Sequence, residues 1–363
     1  MRLRVFILLA LMVGVIGLMF LAARKSDRST PATATITNSP SATAAAFRRT
    51  ARASSLAAAD LAEHAPVPTS NVFQRIASGE LDLHLDSEQL AEYLRQYGTN
   101  VETLLATQNK EYIKRAAELF PNDPRVQYAV VTRDIFPEAK REWLDRLKQS
   151  APDNAIANYL SAREYLKAGN REQGLKDLAD AAGKSRFDDY TREQVQNMED
   201  AQLSAGRSLA EAKFAAGSGL LLPQFAMFKG VAIELQTMQK EYIGAGDASS
   251  AEALAQMGRS LGQQLSHGEG SHTILGQLVG IAAERIVLNS LPPDSQPPFL
   301  NGTVQQRIDE MTAFRQNVKT LMPEVSAMVA RGNENEIISY FDRMKLQGEY
   351  KALLWLQNRN KLR

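Results

Sequence analysis

Residues 182–185 read Ala-Gly-Lys-Ser, and their Gly-Lys-Ser end is the part of a phosphate-binding loop that brings backbone N–H groups and a lysine to a polyphosphate. That chemistry also requires a glycine five residues before the Gly-Lys pair, and a strand leading in. Position 178 is Leu, and the residues before the pair are spaced as a helix, so nucleotide binding is not expected and Lys184 reads as a cation at a helix C-terminus. A second cluster, His267-Gly268-Glu269-Gly270-Ser271-His272, puts two imidazoles and a carboxylate within six residues, as metal ligation demands. Its two glycines and the lack of a third histidine nearby favour a polar turn between helices over 249–266 and 272–289. His64 and His84 read as solvated side chains. No nucleophile, base and orienting group recur at a useful spacing, so neither enzyme activity, nor a metal, nor a cofactor is expected.

Composition agrees. Forty-two Lys and Arg against 41 Asp and Glu leave a net charge of +1, which provides no field to gather nucleic acid. Cysteine is absent, which excludes disulfides, thiolate metal sites and a cysteine nucleophile.

What would position a site is a set of short amphipathic helices. Leu90, Tyr93, Leu94 and Tyr97 fall at i, i+3, i+4 and i+7; so do Ile113, Ala116, Ala117 and Phe120, and the spacing returns at Leu175, Leu178, Ala179 and Ala182. Each set makes one apolar stripe on a helix of about three turns, too narrow to bury itself without a neighbour. Pro121-Asn122-Asp123-Pro124 stops one helix and starts another. Pro137 opens a helix carrying Trp143, Leu144 and Leu147, and Ala151-Pro152-Asp153-Asn154 introduces a helix over 155–168. Gly169 then supplies a left-handed end and Asn170 a new start, which makes the two helices antiparallel neighbours.

Residues 155–188 resemble a tetratricopeptide repeat, a 34-residue helix–turn–helix unit. Ala162 stands at the small position of the first helix, Tyr165 at its aromatic position, Gly169 at the turn and Ala181 at the small position of the second helix. Gly174 replaces the preferred alanine, and the Trp-Leu-Gly signature is missing. The turn recurs at Ala205-Gly206-Arg207 and Ala245-Gly246-Asp247, with Gly332-Asn333 as a fourth candidate. The resemblance implies an all-α solenoid of antiparallel hairpins (TPR-like) with a concave face lined by first helices. It assigns Tyr128, Arg133, Asn158, Arg163 and Tyr165 to contact with a protein or peptide partner.

Ahead of the helices, residues 5–23, VFILLALMVGVIGLMFLAA, carry no charge and as a helix would span roughly 28 Å, close to a bilayer core. They are read as an uncleaved anchor within residues 1–25, with a cleaved signal peptide as the alternative. A four-residue amino tail retained in the cytoplasm places the rest of the chain on the periplasmic side of a bacterial inner membrane. Residues 26–70, rich in Ser, Thr, Ala and Pro, cannot offset their ordering entropy and read as a disordered tether. Arg48, Arg49 and Arg52 are solvated charge there, with anionic lipid as the alternative.

The helical repeat domain is expected over 71–290, a Pro-rich linker over 291–300 (LPPDSQPP at 291–298) and a C-terminal helical unit over 301–363. The apolar run at 220–228 is too short to span and reads as core packing. Gly258, Gly262, Gly276 and Gly280 suggest closely approaching helices. The expected function is a membrane-tethered, non-catalytic interaction scaffold. The alternatives are a self-associating homo-oligomer of the cell envelope, or a hydrolase or lyase built on carboxylates.

Overall fold

The computed structural model describes residues 84–267 and 273–361. Over them the chain is all-α: fifteen α-helices, one 3-10 turn and no β-strand, with a single isolated bridge between Asn154 and Arg186. The helices are α1 Ser87–Tyr97, α2 Val101–Ala106, α3 Lys110–Leu119, α4 Pro124–Thr132 and, after the 3-10 turn Pro137–Ala139, α5 Lys140–Ser150. Next come α6 Ala155–Lys167, α7 Arg171–Ala182, α8 Thr191–Ser204, α9 Leu209–Ser218, α10 Gln224–Gly244, α11 Ala248–His267 and α12 Ile274–Leu288. The last three are α13 Val304–Arg331, α14 Glu334–Gln347 and α15 Glu349–Lys361. No helix of the described residues is long and apolar enough to cross a membrane. The run 5–23, the tether 26–70, His64 and residues 268–272 of the histidine cluster lie outside the described residues.

The boundaries have local causes. Asp86, Asn100, Asn109, Asp123, Asn154, Asn170 and Ser208 each accept a backbone N–H from the first turn of the helix they precede. Asp86 with Gln89, and Ser208 with Glu211, close full capping boxes. The three Ala-Gly turns adopt one geometry: Gly169, Gly206 and Gly246 all have φ +79. In each, the N–H after the glycine returns to a carbonyl five residues earlier, Asn170 to Tyr165, Arg207 to Gln202 and Asp247 to Tyr242, while the glycine N–H bonds the carbonyl three back. This double bond pattern satisfies the last carbonyls of α6, α8 and α10 and needs a left-handed residue at its corner. Gly332 turns the chain in the same sense after α13, at φ 61.

Consecutive helices then pack. α6 lies against α7, α8 against α9, α10 against α11 and α11 against α12. The α11–α12 contact is unusually close, because a Cβ at Gly262 would stand 2.7 Å from the Gly280 carbonyl oxygen, and one at Gly258 would meet Val287. Gly280 is crowded in return by Gly262 and Leu265. Gly174 is needed in α7 for a similar reason, its missing Cβ leaving room for the Leu166 side chain.

Aromatic and ionic contacts lock the pairs together. Tyr159 of α6, Phe187 and Phe228 of α10 form a buried triangle with centroids 5.9–6.4 Å apart. Burial of such rings stabilises the fold by roughly 1.5–3 kcal/mol each. Asp177, almost fully buried in α7, accepts both from Lys148 Nζ at 2.7 Å and from the Ser161 hydroxyl. Lys213 bridges Glu199 and Asp342, and Lys345 also reaches Glu199, fixing α14 to α8 and α9.

The proline-rich segment departs from the expected extended linker. Leu291 and Leu300 are buried with Ala255, Ile281, Leu288, Val304 and Met311 in one core cluster, and the N–H groups of Val304 and Gln305 donate back to the Ser295 and Pro293 carbonyls. The segment folds as a compact corner that lays α13 on α11 and α12, because its leucines supply apolar anchors on both sides of the prolines. Arg307 of α13 completes the contact with two 2.8 Å bonds to the buried Glu284 carboxylate.

Candidate functional site

The C-terminal half of α4, the start of α8 and residues 220–224 enclose a cleft of about 50 Å³, room for a few waters or the tip of a side chain. Its polar lining includes Tyr128 and Arg133 from the α4 side, Asp189 and Tyr190 from the segment before α8, Glu193 and Asn197 of α8, and Gln224 at the start of α10. Leu221, 52% exposed, forms its apolar rim.

Three loops with unusual backbone hold these groups. Among the described residues, the non-glycine positions with left-handed backbone are Gln108 (φ 51), Asp134 (φ 53) and Tyr190 (φ 56). All three adjoin the cleft. Such conformations cost on the order of 1–2 kcal/mol each outside glycine and persist where surrounding contacts over-determine them. Asp134 ends α4: Ile135 N–H returns to the Val130 carbonyl at 3.0 Å, which fixes Arg133 as the cap residue facing the cleft. Gln108 spans the gap between loops. Its Oε1 accepts from Arg133 Nη2 at 2.8 Å and from Leu221 N–H at 3.2 Å, and its Nε2 donates to the Gly219 carbonyl at 3.1 Å. Tyr190 is held by its N–H donating to Asp188 Oδ1 at 2.8 Å, and its ring meets Tyr128 edge-on at 5.4 Å.

The segment carrying Asp189 is anchored by the two residues before it. Phe187 sits in the aromatic triangle, and the fully buried Asn154 bonds the Asp188 carbonyl at 2.8 Å and the Asp188 N–H at 3.0 Å. Asp189 is consequently 4% exposed. One carboxylate oxygen accepts from Thr191 N–H and the other from Gln224 Nε2, both at 3.1 Å, and among the described residues no cation forms an ion pair with it. Burial pushes its carboxyl up to about 6, with the Asp188 charge adding to the effect and the bonds from Thr191 and Gln224 opposing it.

Tyr128 is also buried, and its hydroxyl has no hydrogen-bond partner. Burial, and then the Asp189 charge, raise this phenol well above its ordinary value, so it stays protonated and able to donate. Arg133 is half-buried; desolvation lowers its value, but a guanidinium remains cationic across the working range of a protein. An unpaired carboxylate, an unused phenol and a guanidinium thus share a small cleft.

Of the five residues assigned to partner contact, the structure brings Tyr128 and Arg133 together here. Asn158 is elsewhere and buried, its Oδ1 accepting from Lys184 Nζ at 2.6 Å. Arg163 pairs with Glu164 at 2.6 Å, and Tyr165 lies under the Arg141 guanidinium at 4.5 Å with Lys148 Nζ at 6.0 Å. Residues 183–185 form no anion cradle: Lys184 N–H closes the end of α7 on the Ala181 carbonyl, and Gln264 Nε2 caps the Ala181 and Lys184 carbonyls. The run 220–228 divides in two, Phe225 and Phe228 entering the core while Leu220, Leu221 and Leu222 wall the cleft. Asp189, Tyr190 and Gln224 were not singled out as site residues from sequence, where Asp188-Asp189 is an ordinary acidic pair between helices, and Asn154 was read only as a helix start.

No group of three or more His, Asp or Glu suited to a metal ion occurs among the described residues. No protein-family model, curated protein or solved structure matches the chain.

Proposed function

We propose that the chain is a membrane-tethered, non-catalytic scaffold, an α-solenoid of TPR-like hairpins that engages a protein or peptide partner at the cleft between α4, α8 and residues 220–224. The observation that carries this reading is the convergence of Tyr128 and Arg133 on one pre-built cleft, beside an exposed apolar rim at Leu221. Buried polar groups with unused bonding capacity are costly to the free protein, and a partner's side chain would satisfy them. The identical glycine turns after α6, α8 and α10 support stacked hairpins as the framework.

Residues 5–23 and 26–70 would then act as anchor and tether, holding the helices at the periplasmic face of a bacterial inner membrane. Alkaline phosphatase fused after Arg363 tests this placement: an active fusion supports it, and an inactive but stable fusion overturns it.

The scaffold itself is tested by a photo-crosslinking phenylalanine analogue placed at Leu221, with Leu119 and Leu346, exposed by 51% and 71%, as controls. One discrete adduct with a second protein, formed from position 221 alone, is expected. Equal yields at all three positions, or turnover of a small substrate by the purified chain, would overturn the reading.

A further inference from the structure

We propose that the cleft is specific for a primary ammonium, presented as a lysine side chain by the partner, with Asp189 as its counter-ion and Tyr128 as its second oxygen. This inference rests on the scaffold reading and names what that scaffold recognises.

Three observations converge on it. Asp189 is a carboxylate buried to 4% exposure that accepts from Thr191 and Gln224 but pairs with no cation among the described residues, which leaves its charge uncompensated. A cation entering the cleft would offset that charge in a low-dielectric setting, where a single pair is worth most. Tyr128 contributes an unpartnered hydroxyl buried beside the same carboxylate, whose charge it feels. A phenol oxygen accepts from an ammonium as readily as it donates to a carboxylate.

The third observation is shape. The cleft holds about 50 Å³, which fits an ammonium with its last methylene groups. The edge-on rings of Tyr128 and Tyr190, 5.4 Å apart, offer walls for the stem and a quadrupole for the charge. An ammonium brings three donors on a compact tip to the Asp189 and Tyr128 oxygens, whereas a planar guanidinium would bring five in a wider fork. Arg133, the cation already at the cleft, is turned to other acceptors, its Nη2 donating to Gln108 Oε1 and to the Leu221 carbonyl. Arg125, also on the lining, is occupied by Asp123 at 2.7 Å and Glu102 at 2.6 Å.

Saturation-transfer NMR on the full chain in lipid nanodiscs tests the assignment with three probes: the N-acetyl methylamides of lysine, of norleucine and of glutamate. Norleucine keeps the length of the lysine stem and lacks its charge. We expect transfer to the lysine ε-methylene at least ~5-fold above the norleucine probe, a loss of that excess in Asp189→Asn, and a drop of several-fold in Tyr128→Phe. Equal transfer to lysine and norleucine overturns the proposal, as does stronger transfer to glutamate, which would make Arg133 the anchor. Should Asp189→Asn fail to fold, the lysine-to-norleucine ratio on the unaltered chain decides alone. A crosslink from Leu221 without lysine selectivity would remove the ammonium and leave the scaffold. Lysine-probe binding without any protein adduct would keep the ammonium site, fed by free amines, and remove the scaffold.

Discussion

Asn154 and Asp188 grip each other in both directions, the asparagine Nδ2 donating to the Asp188 carbonyl at 2.8 Å while its Oδ1 accepts from the Asp188 N–H at 3.0 Å. The same Oδ1 caps α6 by accepting from Ile156 N–H at 3.2 Å. One fully buried side chain therefore starts a helix and also places the segment that carries Asp189 into the cleft.

Asn154→Ala leaves the part-buried Asp188 N–H and carbonyl without their partner. We expect a loss of about 2–4 kcal/mol, since each unsatisfied buried group costs roughly 1–3 kcal/mol. Urea unfolding measures it; a loss under about 0.5 kcal/mol would show that the segment is held by Phe187 alone.

Asp189 makes stability depend on pH with an unusual sign. Its folded value near 6 lies above the ordinary 3.8, so the folded chain binds this proton more tightly than the unfolded one. This group's contribution is best below about pH 4 and is lost as pH rises through 6, leaving a penalty of roughly 3 kcal/mol at pH 7.5. Asp189→Asn should raise stability at pH 7.5 by about 1–3 kcal/mol and change little at pH 4. Denaturant midpoints at the two pH values check this, and equal effects at both would refute the assignment.

Tyr128→Phe removes a buried hydroxyl that has no partner in the folded chain. Stability should stay level or rise by up to about 1 kcal/mol, while probe binding at the cleft falls. A thermal shift downward by more than a few degrees would mean that the hydroxyl is already bonded.

Gly262→Ala sets a methyl 2.7 Å from the Gly280 carbonyl oxygen and 2.9 Å from Glu284 Cβ, so α11 and α12 must part. We expect a cost of about 2–4 kcal/mol. Gly244→Ala is the matched control: nothing lies within 4 Å of its Cβ position, and helix propensity should make it neutral or stabilising by up to ~1 kcal/mol. Similar costs for both would indicate that helix separation tolerates a methyl group.

Several of the helices and the glycine turns that end them could be read directly from residue order. Asp123-Pro124, Asn154, Asn170 and the glycines at 169, 206 and 246 act through bonds that close within five residues, so their effect is encoded next to them. The close approach at Gly262 and Gly280 was legible too, because small residues four apart on one face serve little else. The proline-rich corner at 291–298 was not. Whether Leu291 and Leu300 reach a core depends on where α11 and α13 lie, and periodicity carries no such distance.

The cleft divides along the same line. Sequence by itself placed Tyr128 and Arg133 on a first helix, and the repeat resemblance offered them, with Asn158, Arg163 and Tyr165, as partner contacts. Only the tertiary structure decided that Asp189 would be buried beside Tyr128, because that meeting needs Asn154 to hold a backbone 34 residues away and Gln108 to hold Leu221 across 113. Burial sets the charge state of a carboxylate, and burial is a property of neighbours brought by the fold, which no local spacing of residues can express.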